Sequence, residues 1–254
     1  MENMKLFDFA LVFTQIPRIL TYLPITLEIA VISFAGSLMV GFLVALVKIK
    51  KIKVLSTLSG FYVSFTRGTP VLVQLYLTYY GIPMALMAIN RYYGTQFNTN
   101  GVAPIVFALT ALSLNEAAYS SESIRAALES VDKGQMEAAL SIGMTTGQAL
   151  RRIVLPEALV VALPSLGNSF IGLIKGTSLV FVTAVVEMTA AGRLLASKNF
   201  RFFEMYITLA IVYWLVTAII AFFLRWGEKK LRCNERLAPE EKRRQETAVE
   251  GRHA

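Results

Sequence analysis

The chain has 254 residues, 55% of them apolar and 17% charged, with a mean hydropathy of +0.56 and a formal net charge of +8. An average soluble domain is poorer in apolar and richer in charged residues, so this composition points to a membrane protein. One cysteine, Cys233, and one histidine, His253, leave no intrachain disulfide and no C-x-x-C spacing, and argue against metal chemistry and His-based catalysis.

Residues 1–21 read as an outer N-terminal segment. Over 5–20, Phe, Leu and Ile mix with Lys5, Asp8 and Arg18, which fits either a short amphipathic helix along the outer interface or a frayed terminus. A clustered positive start and a small-residue cleavage site are both lacking, so no removable signal peptide is expected.

Leu23 to Val47 is long enough to cross a bilayer and carries only Glu28, near its start. The next three crossings hold interior charge: Val54 to about Tyr80 with Arg67, Gly101 to Ser121 with Glu116, and Ala158 to Val186 with Lys175. Gly68 and Pro70 predict a kink in the first of these; the last is longer than a straight crossing needs, so tilt or a break is expected there. Met205 to Leu224, an uncharged run of about 20 residues, matches a hydrocarbon core of roughly 30 Å. The fold class is therefore all-α and polytopic, with five transmembrane helices in a membrane domain of residues 22–226. Residues 227–254 form a charged tail whose composition predicts disorder.

Lys48, Lys50, Lys51 and Lys53 follow the first crossing, Lys133, Arg151 and Arg152 the third, and Lys229, Lys230 and Arg232 the fifth. The positive-inside rule places these three segments in the cytoplasm. Arg91 alone separates the second and third crossings, although Arg193, Lys198 and Arg201 between the fourth and fifth weaken the contrast. The balance gives the N-terminus out and the C-terminus in. The basic cytoplasmic segments suit anionic membrane lipids, and nothing beyond charge favours nucleic acid.

The cytoplasmic loop, about 126–157, has internal order. Gln135 to Ile142 contains strong helix formers, and Gly143 supplies a stop that can adopt positive φ. Thr145 or Thr146 can cap a second short helix through Ile153, before Pro156 resets the backbone for the fourth crossing. Ala138 and Ala139 permit close helix approach, while Met144, Leu150 and Ile153 offer apolar anchors. Such a knob can lie in a groove on a partner or rest among the lipid headgroups. A phosphate-binding G-x-x-x-x-G-K-[ST] run is missing, since GLIKGTS at 172–178 has its Lys before the Gly. Energy from nucleotide must come from a partner.

Glu137, Ala138, Ala139, then Gly143, then Ile153, Leu155 and Pro156 resemble the EAA-G-I-LP signature of importer permeases of the ATP-binding cassette superfamily. Three further segments resemble its polar amino acid branch, the histidine and glutamine type: Arg67-Gly68-Thr69-Pro70 with Val73-Gln74-Leu75, Asn115 to Arg125, and Lys175 to Leu179. The resemblance implies a type I importer permease fold with no cofactor bound by the chain itself, and ATP and Mg in two cytoplasmic ATP-binding subunits. It also implies a second permease copy or a homologous permease, an extracytoplasmic substrate-binding protein, and an amino acid substrate, sulfur-containing ones included. The 137–156 loop would be the element that couples to the ATPase.

Charged groups inside a bilayer cost roughly 2.5–3.5 kcal/mol each, so they usually face a wet cavity or a partner. On this basis the candidate pathway residues are Arg67, Thr69, Pro70, Asn115, Glu116, Glu122, Lys175, Thr177 and Ser178. Glu122 and Arg125 are one helical turn apart and suit a pair or a gate; Glu116 or Asn115 suits an α-ammonium, and Lys175, Thr177 or Ser178 a carboxylate. Glu187 is expected at the outer interface. A passive channel, a permease for another small solute and a membrane-embedded enzyme remain as alternatives.

Overall fold

The computed structural model describes residues 7–98 and 101–250, so Lys5 and His253 lie outside the described residues. Every element within them is helical. Two short helices, α1 (Phe9–Thr14) and α2 (Ile16–Leu20), open the chain. Asp8 caps α1 by accepting from the N–H groups of Ala10 and Leu11, and Val12 and Ile19 are buried. The N-terminal segment is therefore packed, while Phe9 and Phe13 stay exposed.

The long helix α3 (Leu23–Ile49) packs most extensively against α6 (Pro104–Ser130). Small residues make that approach possible. A methyl added at Gly41 of α3 would stand 3.1 Å from the Ser121 nitrogen and 3.2 Å from the Ala117 carbonyl, so the two backbones touch there.

The second crossing differs from the sequence expectation. A single kinked helix over Val54 to Tyr80 is replaced by α4 (Lys53–Gly68) and α5 (Val71–Tyr93), joined through Thr69 and Pro70 in extended conformation. Pro70 lacks the N–H that would continue α4 and forces the preceding residue away from helical angles, so the expected kink becomes a full break. The apolar stretch able to cross is then α5, and Arg67 falls outside it, in the last turn of α4.

Beyond α6 come α7 (Lys133–Ser141), α8 (Thr146–Ala149) and a π-helical turn (Leu150–Val154) that runs into α9 (Leu155–Gly176). Pro156 does not reset the backbone as expected. It sits in the first turn of α9, where a missing N–H is tolerated, and the widened π turn absorbs the change in register. After Gly176 the helix tightens into a 3-10 segment (Thr177–Thr183), then α10 (Met188–Asn199) and α11 (Phe202–Glu250) follow. The break expected in the fourth apolar run thus takes the form of this change of helix type. Helix α11 runs to Glu250.

Four helical stretches are long and apolar enough to cross a membrane: Leu23–Ile49, Val71–Tyr93, Thr146–Thr183 and Phe202–Lys230. The remaining expected crossing, the third, corresponds to α6, about 40 Å long but diluted by Glu116, Glu122, Arg125 and Glu129. Buried side chains form three clusters. One joins α2, α10 and α11 around Ile19, Met188 and Met205; a second joins α3, α5, α6 and α9 around Ile29, Leu75 and Leu173. The third, around Ala127, Val154 and Ala162, ties α6 to the π turn and the start of α9.

Candidate functional site

The knob between α6 and α9 is held by bonds between near neighbours. Asp132 caps α7 by accepting from Gly134 N–H at 2.7 Å. At the other end Gly143 adopts φ +86°, and its N–H donates to Leu140 O at 3.0 Å while Met144 N–H donates to Ala139 O at 3.1 Å. That pair of bonds is a Schellman motif, which satisfies two otherwise free carbonyls of α7. Thr145, rather than Thr146, caps α8: its hydroxyl accepts from Gln148 N–H at 3.3 Å, and its own N–H donates to the Gln148 side chain at 3.0 Å.

This frame sorts the motif residues. Ala139 is buried among α7, α8 and the π turn, whereas Glu137, Ala138, Gly143 and Leu155 are exposed and Pro156 opens the next helix. Of the expected anchors, Met144 and Ile153 are half-buried and Leu150 is 38% exposed. The most exposed apolar side chain of the knob is Ile142, at 76%, with Leu140 beside it at 43%. Sequence reading passed over Ile142; its signal is a large apolar residue placed directly before the positive-φ glycine.

The interior candidates do not converge on one point. Gln74, which was noted only as part of a motif, organises the α4–α5 break. Its Nε2 donates to Thr69 Oγ1 at 2.7 Å and Thr66 O at 2.9 Å, and its Oε1 accepts from Asn115 Nδ2 at 3.0 Å. Thr69 also donates to Phe65 O at 3.0 Å, Pro70 caps α5, and the Arg67 guanidinium lies 5.2 Å from the Tyr119 ring centroid. The R-G-T-P-x-x-x-Q segment and Asn115 therefore make one clamp around the free carbonyls of α4.

Glu116 is 8% exposed on α6, with Ser120 Oγ 3.4 Å away and a further hydrogen bond to Ser169 of α9. Among the described residues it has no ion-pair partner. Glu122 pairs with Lys48 of α3 and, at 2.8 Å, with Arg125, which also meets Glu129 at 2.7 Å. This network fastens the C-terminal end of α3 to α6.

At the end of α9, Lys175 is exposed and Ser178 half-buried, but Thr177 is fully buried and donates to Ile174 O at 2.7 Å. Glu187 is not interfacial as expected. It is fully buried, caps α10 by accepting from Thr189 and Ala190 N–H at 2.9 Å each, and accepts from the Tyr213 hydroxyl of α11 at 2.9 Å. Burial pushes its carboxyl above the usual range while these donors pull the other way. Tyr213 also meets Thr189 Oγ1 at 3.1 Å. Nothing local in the sequence distinguished this glutamate from a solvated one.

A cavity of about 540 Å³ opens between α9 and α11, lined by Pro164, Gly167, Asn168, Ile171 and Leu224 among others. None of the interior candidates lines it. Among the described residues no cluster of His, Cys, Asp and Glu is suited to a metal ion.

The geometry can be set beside known proteins. The model of a family described as binding-protein-dependent transport system inner membrane component matches residues 37–232. The probable amino-acid ABC transporter permease protein PatM of Vibrio harveyi is 44% identical over 225 residues, which is 89% of this chain and 96% of that protein. The L-cystine transport system permease protein TcyL of Bacillus subtilis (strain 168) is 40% identical over 231 residues, 91% of this chain and 94% of that protein. A crystal structure of an amino acid ABC transporter with histidines superposes with a TM-score of 0.73 at 31% identity, covering 89% of this chain and 100% of that chain.

Proposed function

This chain belongs to the family of binding-protein-dependent transport system inner membrane components, and on that premise we propose that it carries an amino acid inward across the cell membrane, driven by ATP hydrolysed on a partner subunit. It is a multi-pass membrane protein and a permease. The transporter holds two cytoplasmic ATP-binding subunits that use ATP and Mg, an extracytoplasmic substrate-binding protein, and a second permease, identical or homologous. TcyL supports including sulfur-containing substrates. Helices α3, α5, α6, α9 and α11 make five crossings, with the N-terminus out and the C-terminus in; the placement of Lys and Arg supports this orientation.

The observation that carries the coupling role is the knob, a small body fixed by its own caps that presents Glu137, Ala138, Leu140 and Ile142 to a partner. An ATPase groove that grips it moves α7 and α8 as one piece. The π turn and α9 follow, because Ala139, Ala149 and Val154 are buried at their junction. Ile153, Leu155 and Pro156 serve that junction rather than the contact.

For the pathway, Glu116 suits the substrate ammonium and Lys175 or Ser178 the carboxylate. Thr69, Pro70, Asn115 and Thr177 instead hold backbone, with Arg67 beside them, and Glu122 locks the cytoplasmic end. Uptake of labelled amino acids into vesicles, with and without the ATPase subunits, tests the reading. Accumulation is expected only with ATPase and ATP, and replacing residues 137–143 abolishes it while membrane insertion persists. Uptake independent of ATP would make the chain a channel.

A further inference from the structure

Around α2 and α10 the segments assigned to the outer side carry Arg18, Arg193, Lys198 and Arg201, where the positive-inside bias disfavours them. Two are accounted for: Arg201 pairs with Glu204 at 2.9 Å, and the Arg193 guanidinium lies 4.1 Å from the Phe181 ring centroid. Arg18 and Lys198 are different. Arg18 makes only a 3.5 Å contact with Gln15, and Lys198 has no side-chain partner among the described residues. Both line one cavity of about 460 Å³ between α2 and α10, which has no carboxylate in its wall. The acids packed nearby are in use, Glu187 as the buried cap of α10 and Glu204 with Arg201 and Asp8 N–H. Exposed Leu194 adds an apolar edge to the cleft.

We infer that the α2–α10 cleft is a docking seat for an acidic loop of the extracytoplasmic substrate-binding protein, whose carboxylate sits between Arg18 and Lys198. The inference rests on the import role proposed above, and the family description itself specifies dependence on a binding protein. Two unpaired like charges on one wall form a site for the opposite charge, and such pairs govern encounter rate and partner choice. Each cation lies in the last turn of its helix, where the helix dipole favours positive charge without pairing it. The seat is also firm. Ile19 of α2, Met188 of α10 and Met205 of α11 pack in one cluster, and α10, tied through Glu187 to Tyr213 of α11, also packs against the 3-10 segment after α9. A push at the cleft therefore reaches the helix that descends to the knob.

The test uses the whole transporter in nanodiscs, with its ATPase subunits, titrated with its own amino-acid-loaded binding protein while ATP hydrolysis is followed. For the double variant Arg18→Glu with Lys198→Glu, the half-saturating concentration of binding protein rises about tenfold, the maximal rate stays at the wild-type level, and the salt dependence of half-saturation flattens. Arg18→Gln with Lys198→Gln, a milder pair that guards against misfolding, gives an intermediate shift. Unchanged half-saturation in a responsive transporter removes the seat alone. A change that follows the anionic-lipid content of the nanodisc instead of binding-protein concentration overturns it in favour of a lipid headgroup. A wild-type transporter that no binding protein stimulates removes the import role and the seat together.

Discussion

The knob between α6 and α9 and the cluster around Glu187 both hold polar groups in fixed positions, by opposite means. In the knob the caps link residues no more than five apart, such as Gly134 with Asp132 and Met144 with Ala139. In the other cluster Glu187 is joined to Tyr213, 26 residues on, and Met188 N–H donates to Thr26, 162 residues back. A body held locally can move as a unit without unfolding its neighbours, which suits a part that must be gripped. A cluster drawn from α3, the 3-10 segment, α10 and α11 fixes how those helices meet, and it cannot move piecemeal.

That contrast can be broken by substitution. Glu187→Leu strips two N–H groups of α10 and the Tyr213 hydroxyl of their acceptor, at a cost of about 3 kcal/mol. Thermal unfolding of the purified protein should fall by the largest margin of any change here, with Glu187→Gln in between; an unchanged midpoint would show the cluster to be dispensable. Gln74→Leu removes the clamp on the α4–α5 break and leaves Asn115 without its acceptor, at a cost of roughly 2 kcal/mol, visible as faster proteolysis around residues 66–70.

Changes in the knob should separate activity from stability. Gly143→Val places a branched side chain at φ +86°, which costs about 1–2 kcal/mol locally. ATP-driven uptake should drop severalfold while the unfolding midpoint of the membrane helices stays put. Equal loss of both would mean that the knob is not an independent body. Thr145→Ala breaks the capping box at a cost of about 1 kcal/mol and should give the smallest loss of uptake.

The same distinction explains what the sequence disclosed. The knob was legible because Gly143 and Thr145 act on their own neighbours, and helix formers between such signals leave few alternatives. The long apolar helices were visible for a similar reason, since a run of about 20 apolar residues has one economical use. Thr69 and Pro70 announced a distortion, but its size depended on Gln74 and Asn115, which are 41 residues apart. Pro156 was misread because a π turn relieves a proline without breaking the chain, and no local residue marks such a turn. Glu187 was misplaced because a buried polar group looks the same in sequence as an exposed one until its distant donors are known.

The central claim is that the knob meets a nucleotide-hydrolysing subunit from the cytoplasm, and Ile142 is its most exposed apolar contact. Ile142→Cys in a Cys233→Ser background gives a single thiol for site-directed cross-linking in the assembled transporter. Cross-linking to the ATPase subunit, with protection from a membrane-impermeant maleimide added outside intact cells, is the predicted result. Labelling from outside, or a thiol that never reaches the ATPase under any nucleotide condition, would contradict it.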